Sequence, residues 1–191
     1  SSTSRGLGDV YKRQLMFHVI TGGSGSGKSA YAEEKILELG QAPRIYIATM
    51  YPFDQESHLR IARHRKMRAE KEFETVECYT GLKSVRMPAG ANVLLECMSN
   101  LTANEMFQPE GAGEDTVCEI LAGIGSLIRQ SENLIVVTNE IFSDGIQYAE
   151  ETRTYQSYLG EINRQMAEIA DKVTEVVYGI CLLYTSPSPR D

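Results

Sequence analysis

Short apolar runs alternate with longer stretches of helical spacing along most of the chain. Residues 17–21 (FHVIT), 44–49 (RIYIAT), 92–97 (NVLLEC), 133–138 (NLIVVT) and 172–180 (KVTEVVYGI) are rich in β-branched and aliphatic side chains and have strand length. Between them, residues 30–39, 54–72, 114–130 and 150–172 carry apolar positions three and four apart, the period of a helix with one buried face. Helices that return the chain between strands predict an α/β domain: a mostly parallel sheet with helices on both faces. Residues 107–115 (FQPEGAGED) read as a connection, and no shift in composition or internal repeat marks a second domain.

The first predicted strand runs straight into Gly22, Gly23, Ser24, Gly25, Ser26, Gly27, Lys28 and Ser29, a full match to GxxxxGK[ST]. Glycines permit a loop whose backbone N–H groups turn inward on phosphate oxygens, and the following helix adds the partial positive charge of its N-terminus. In that reading Lys28 reaches the β- and γ-phosphates and the Ser29 hydroxyl ligates Mg²⁺. An acidic residue at the end of another strand completes such sites; Glu96 is the first candidate and Glu140 the second. On the helix predicted from 54, Arg60, His64 and Arg68 fall at i, i+4 and i+8, one face that could converge on a triphosphate, against the plainer reading of a solvated charged helix. His18, inside the first strand, and His58, off the His64 face, are expected in core or surface roles.

The 191 residues carry 26 acidic and 19 basic side chains, net −7, which gives no basic excess for a nucleic-acid or anionic-membrane partner. No apolar run approaches the length of a membrane helix and no signal segment opens the chain, so the expectation is a cytoplasmic protein without membrane insertion. Cys78, Cys97, Cys118 and Cys181 form no CxxC pair and have no histidine at metal-ligand spacing; they read as inert thiols in a reducing compartment. The two ends are a separate matter. Residues 4–14 (SRGLGDVYKRQ) and 181–191 (CLLYTSPSPRD) back-translate onto opposite strands of one DNA segment that resembles a transposon-type sequencing adapter. They are read as translated library sequence, which leaves 16–180 as a single nucleotide-binding domain, with Met16 its start, and takes the net charge to −9.

Taken in order, GGSGSGKSAYAE (22–33), YIAT (46–49), RIARHRKMR (60–68), T-x-E (75–77), LLECMSN (94–100) and VVTNE (136–140) resemble the bifunctional adenosylcobinamide kinase / adenosylcobinamide-phosphate guanylyltransferase family. So does the R-x-Y…LG-x-x-N…GI pattern of 153–180. The resemblance implies a RecA-like P-loop fold, a homo-oligomer, and a corrinoid small-molecule substrate acted on with ATP or GTP and Mg²⁺. It implies phosphorylation of the aminopropanol hydroxyl, then transfer of GMP from GTP through a guanylylated histidine, which His64 matches. Residues 22–29 match the phosphate loop. Ala48, Thr49, Met50, Arg65, Lys66, Met67, Arg68, Glu77 and Glu96 match positions lining the family's GTP site, with Arg60 beside them. The chain departs from the family at Ala69 (commonly proline), at Phe73 (usually tryptophan) and in the segment after Glu140. Two other functions fit the P-loop alone: a small-molecule kinase in which His64 only binds phosphate, and a nucleotide-dependent regulatory binding protein.

Overall fold

The structure is a computed structural model and describes residues 16–140 and 149–185. Seven strands form one sheet: β1 (Met16–Gly22), β2 (Arg44–Ala48), β3 (Phe73–Glu77), β4 (Ala91–Glu96), β5 (Ser131–Asn139), β6 (Lys172–Val177) and β7 (Ile180–Thr185), in the order β3-β2-β4-β5-β1-β6-β7. The first six are parallel, and β7 turns back antiparallel on β6. Among the described residues five α-helices connect them: α1 (Lys28–Leu37), α2 (Gln55–Glu70), α3 (Met98–Phe107), α4 (Thr116–Gln130) and α5 (Glu150–Ile169).

Alternation along the strands divides the core. Phe17, Val19, Ile45, Ile47, Val93, Leu95 and Val136 face a layer in which α3, α4 and α5 bury Met98, Leu101, Ile120, Ile124, Leu159 and Ile162. Ile20, Tyr46, Leu94, Ile135 and Val137 face the other side, where α1 buries Ala32 and Ile36. The five predicted strands and four predicted helices are present. β3 and α3 were not expected. β3 reads FETVE, too short and too polar for an apolar run because it is an edge strand with one buried residue, Phe73. α3 is rich in Ser, Thr and Asn, which favour turns, yet it is buried on several sides, including Ser99, Thr102, Asn104 and Glu105. Residues 181–185, expected to lie outside the domain, lie in the sheet as the exposed strand β7.

Parallel strands bring all their carboxyl ends to one rim. The register sets Gly22 beside Asn139, Ala48 beside both Glu96 and Glu77, and Glu96 beside Val137. Residues up to 117 positions apart in sequence thereby share the edge where open α/β sheets bind ligands.

Candidate active site at the carboxyl rim

The loop after β1 keeps its shape through glycine. Gly25 and Gly27 have φ of 71° and 91°, in the left-handed region where a side chain is strained. At Gly22 a Cβ would meet Ser26 Oγ at 2.5 Å and the Val176 carbonyl at 2.6 Å. The loop closes on itself from Ser26 N to Gly23 O (3.2 Å), and Lys28 Nζ donates to Gly23 O (3.0 Å), folding the lysine over the cradle. Gly179, in the β6–β7 turn, donates its N–H to Ser26 O at 2.9 Å and braces the loop from behind. Ser24 and Gly25 are exposed at the tip, while Ser26 Oγ is buried and has no hydrogen-bond partner among the described residues.

A cleft of about 320 Å³ opens beside this loop. Lys28 and Ser29 form one wall, Glu96 the floor, and His64 and Arg68 the wall contributed by α2. The Glu96 carboxylate accepts hydrogen bonds from Ser29 Oγ and, at 2.7 Å, from the Tyr46 hydroxyl. Burial first, and then the neighbouring Glu96 charge, push the Tyr46 phenol above its ordinary value, so it remains a donor. A serine hydroxyl in contact with a carboxylate beside a phosphate loop is a hard-oxygen donor pair, and it suits Mg²⁺. Among the described residues, no group of three or more His, Cys, Asp or Glu is placed to hold a metal by itself, so water and phosphate oxygens have to supply the remaining positions.

Arg68 is the one buried residue of α2, 7% exposed. Its guanidinium stacks over Tyr46 with Cζ 3.9 Å from the ring centroid, and Nε reaches Thr75 Oγ1 at 3.4 Å. A buried cation on the wall of a cleft, held by an aromatic face and a hydroxyl, is suited to an anionic ligand.

The other candidate residues divide. Ala48, Thr49, Met50 and Glu77 line the cleft, and Met67 lines a smaller chamber that shares His64, Arg68 and Glu96 with it. Thr49 is fully buried, and its side chain serves the backbone: Oγ1 accepts from Cys97 N (2.8 Å), while Asn104 Nδ2 holds its carbonyl (2.7 Å). The basic face expected on α2 is turned to the cleft only in part. Ile61, His64 and Arg68 form the cleft-facing stripe, whereas Arg60, Arg65 and Lys66 are exposed and do not line the cleft; Arg65 instead pairs with Glu77 at 3.4 Å. The physical reason is helical phase: the cleft wall follows the i, i+3, i+7 line 61–64–68, leaving Arg60 on its outer side. Glu140 lies outside the cleft lining. Its carboxyl is hydrogen-bonded to Glu175, which pushes it above the usual range, and Glu175 also accepts from the Tyr184 hydroxyl (2.7 Å). His18 is a core residue, bonded to Thr174 Oγ1 at 2.8 Å, and His58 is exposed. Sequence reasoning missed Tyr46, Tyr79, Asn100 and Asn139 as lining residues. Asn139 directly follows the predicted strand 133–138, a signal that could have found it, whereas Tyr46 lies in the middle of β2, Tyr79 follows the unexpected β3 and Asn100 lies inside α3.

A glycine-rich loop between β1 and α1, a strand-end carboxylate on β4, and β5 inserted between those two strands define a RecA-like P-loop nucleotide-binding protein. The fold is shared with the KaiC-like protein PH0186 of Pyrococcus horikoshii OT3 (TM-score 0.51, 13% identity, 90% of this chain and 79% of that one). It is shared also with the ATPase domain of G40P (TM-score 0.50, 10% identity, 85% and 69%). Residues 18–183 match the family described as cobinamide kinase / cobinamide phosphate guanyltransferase, and the chain belongs to that family. The bifunctional adenosylcobalamin biosynthesis protein CobU of Escherichia coli strain K12 is 33% identical over 180 residues, 86% of this chain and 97% of the relative. CobP of Pseudomonas aeruginosa, which bears the same description, is 31% identical over 169 residues, 86% and 95%.

Proposed function

We propose that the protein phosphorylates the aminopropanol hydroxyl of adenosylcobinamide with a nucleoside triphosphate, ATP or GTP. It then takes GMP from GTP onto His64 and passes it to the phosphorylated substrate, giving adenosylcobinamide-GDP. The observation that carries the reading is the sharing of one cleft by Lys28, Ser29, Glu96, His64 and Arg68. Family membership supports the pair of reactions.

In this reading the loop 22–29 holds the phosphate chain by its N–H groups, and Lys28 swings from Gly23 O onto the β- and γ-phosphates. Ser29 and Glu96 would hold Mg²⁺, which would supply charge neutralisation at the phosphates. Arg68 faces the negative charge that develops as pyrophosphate departs. The imidazole of His64 attacks the α-phosphorus, and a covalent phosphoramidate splits one transfer into two displacements. Ala48, Met50 and Glu77, with Met67 beside them, form the nucleoside side of the site. No helix among the described residues is long and apolar enough to cross a membrane; a homo-oligomer working in the cytoplasm goes with the same reading.

Incubation with Mg²⁺ and α-phosphate-labelled GTP tests it. The expected result is an acid-labile, base-stable label on the protein that His64→Ala abolishes. A folded, GTP-binding protein that takes no label would leave a P-loop kinase without nucleotidyl transfer. The adapter origin of residues 1–14 and 181–191 is supported by their complementary back-translation. Sequencing the locus beyond both ends tests it, since native codons there would replace the two segments.

A further inference from the structure

Outside the cleft, an apolar depression of about 420 Å³ lies between α3 and α5, lined by Ala103, Phe107, Glu151, Thr152 and Tyr155. Phe107, the last residue of α3, is 55% exposed in it. Asn100, Ala103 and Phe107 stand at i, i+3 and i+7 on one face of α3, and Asn100 lines the P-loop cleft. At the helical rise, Asn100 and Phe107 are about 10 Å apart. A hydrogen-bonded wall joins the two spaces: the Tyr155 hydroxyl donates to Ser99 O (3.3 Å), and Ser99 Oγ accepts from Asn139 Nδ2 (3.0 Å), with Asn139 in the cleft.

We propose that this depression is the docking site of the corrinoid macrocycle, with the hydroxyl-bearing arm running along α3 past Asn100 to the P-loop. The inference rests on the function proposed above and gives its second substrate a place. A corrin is a broad, largely apolar, cationic disc rimmed with carboxamides. Phe107 and Tyr155 offer aromatic surface, Thr152 a hydroxyl for the amides, and Glu150 and Glu151 negative charge in the first turn of α5.

The stereochemistry of transfer selects this groove over the smaller chamber of about 220 Å³ between α1 and α2, which shares Ser29, His64 and Glu96 with the cleft but contains neither Lys28 nor Asn139. Phosphoryl displacement runs in line, with entering and leaving groups on opposite sides of phosphorus. When His64 takes the GMP, pyrophosphate leaves on the P-loop side. In the next step an oxygen of the substrate phosphate forms its bond to the α-phosphorus as the P–N bond breaks, and the electron pair returns to the imidazole. That oxygen has to arrive from the side opposite the imidazole, again the P-loop side, where the kinase step also places the γ-phosphate. One corrinoid position on the Asn100–Asn139 side therefore serves both reactions, and a position behind His64 serves neither.

Ala103→Trp fills the groove, and Phe107→Ala removes its aromatic wall. Adenosylcobinamide binding is measured by equilibrium dialysis without nucleotide, in parallel with formation of the labelled GMP adduct, which needs no corrinoid, and with the mass in solution by light scattering. Both variants should weaken corrinoid binding by about tenfold or more, with adduct formation and mass as in the wild type. Corrinoid binding within about twofold of wild type in both, or a changed mass in Ala103→Trp, would overturn the proposal, the latter by making the groove a subunit contact. If Ala103→Trp forms no adduct, Thr152→Trp on the opposite wall repeats the measurement. Absence of adduct in the wild type would count against the proposed nucleotidyl transfer, and dialysis would still decide the groove.

Discussion

Helices α1 and α2 follow neighbouring steps of the same strand–helix pattern, yet they are held in opposite ways. α1 lies on the sheet with Ala32 and Ile36 fully buried among Ile20, Leu94 and Val137. α2 packs along β3 at the sheet's edge, buries only Arg68, and leaves Leu59 67% and Met67 53% exposed. The phosphate loop thus opens the anchored helix, and the candidate nucleophile rides on the loosely held one. A cradle has to keep its N–H groups fixed on phosphate. A nucleophile that takes a nucleotide from one substrate and gives it to another benefits from a support that can shift.

The contrast is testable. Gly22→Ala attacks the anchored side most directly, because the Val176 carbonyl stands 2.6 Å from the added Cβ and is backbone; unfolding by urea should show a loss of about 3 kcal/mol or more, together with lost nucleotide binding. Ile36→Ala should cost about 2–4 kcal/mol in the same measurement. Acid should weaken the same side. Burial first, and then Lys172 and Lys35, lower the His18 pKa to about 4 from 6.5. The unfolded chain therefore binds the extra proton, and the stabilisation is full above pH 6.5 and lost as pH falls through 4, up to about 3 kcal/mol. His18→Gln should flatten that part of the stability–pH profile.

On the loosely held side, Arg68→Met should change stability by no more than about 1 kcal/mol, since no carboxylate is left unpaired, while slowing adduct formation by about a hundredfold. Leu59→Ala should move stability by less than about 0.5 kcal/mol. A large loss there would mean that α2 is fixed as firmly as α1.

Most of the fold was legible because buried parallel strands and one-sided helices write their periods plainly, and the glycine-rich loop carries its own context. β3 was not, since an edge strand with one buried residue has little apolar pattern to show. α3 was missed for the reverse reason: its polar side chains are spent on bonds inside the protein, Thr102 to Met98 O (2.8 Å) and Asn104 to Thr49 O (2.7 Å). In the site, His64 and Arg68 could be paired from spacing, but Arg60 shared that spacing and is off the cleft. Which side of a charged helix faces the protein depends on its docking, and α2 has too few apolar residues to declare it. Tyr46, in the middle of its strand, needed the sheet register, which no local pattern contains.

The position of β1 has a consequence for the protein's birth. Its two neighbours in the sheet are β5 and β6, and the loop that follows it is braced by Gly179. On the ribosome the phosphate cradle is made early but can be finished only when nearly the whole domain has emerged. The half-made chain leaves the apolar first strand without partners, and nucleotide enters as a ligand of the completed fold.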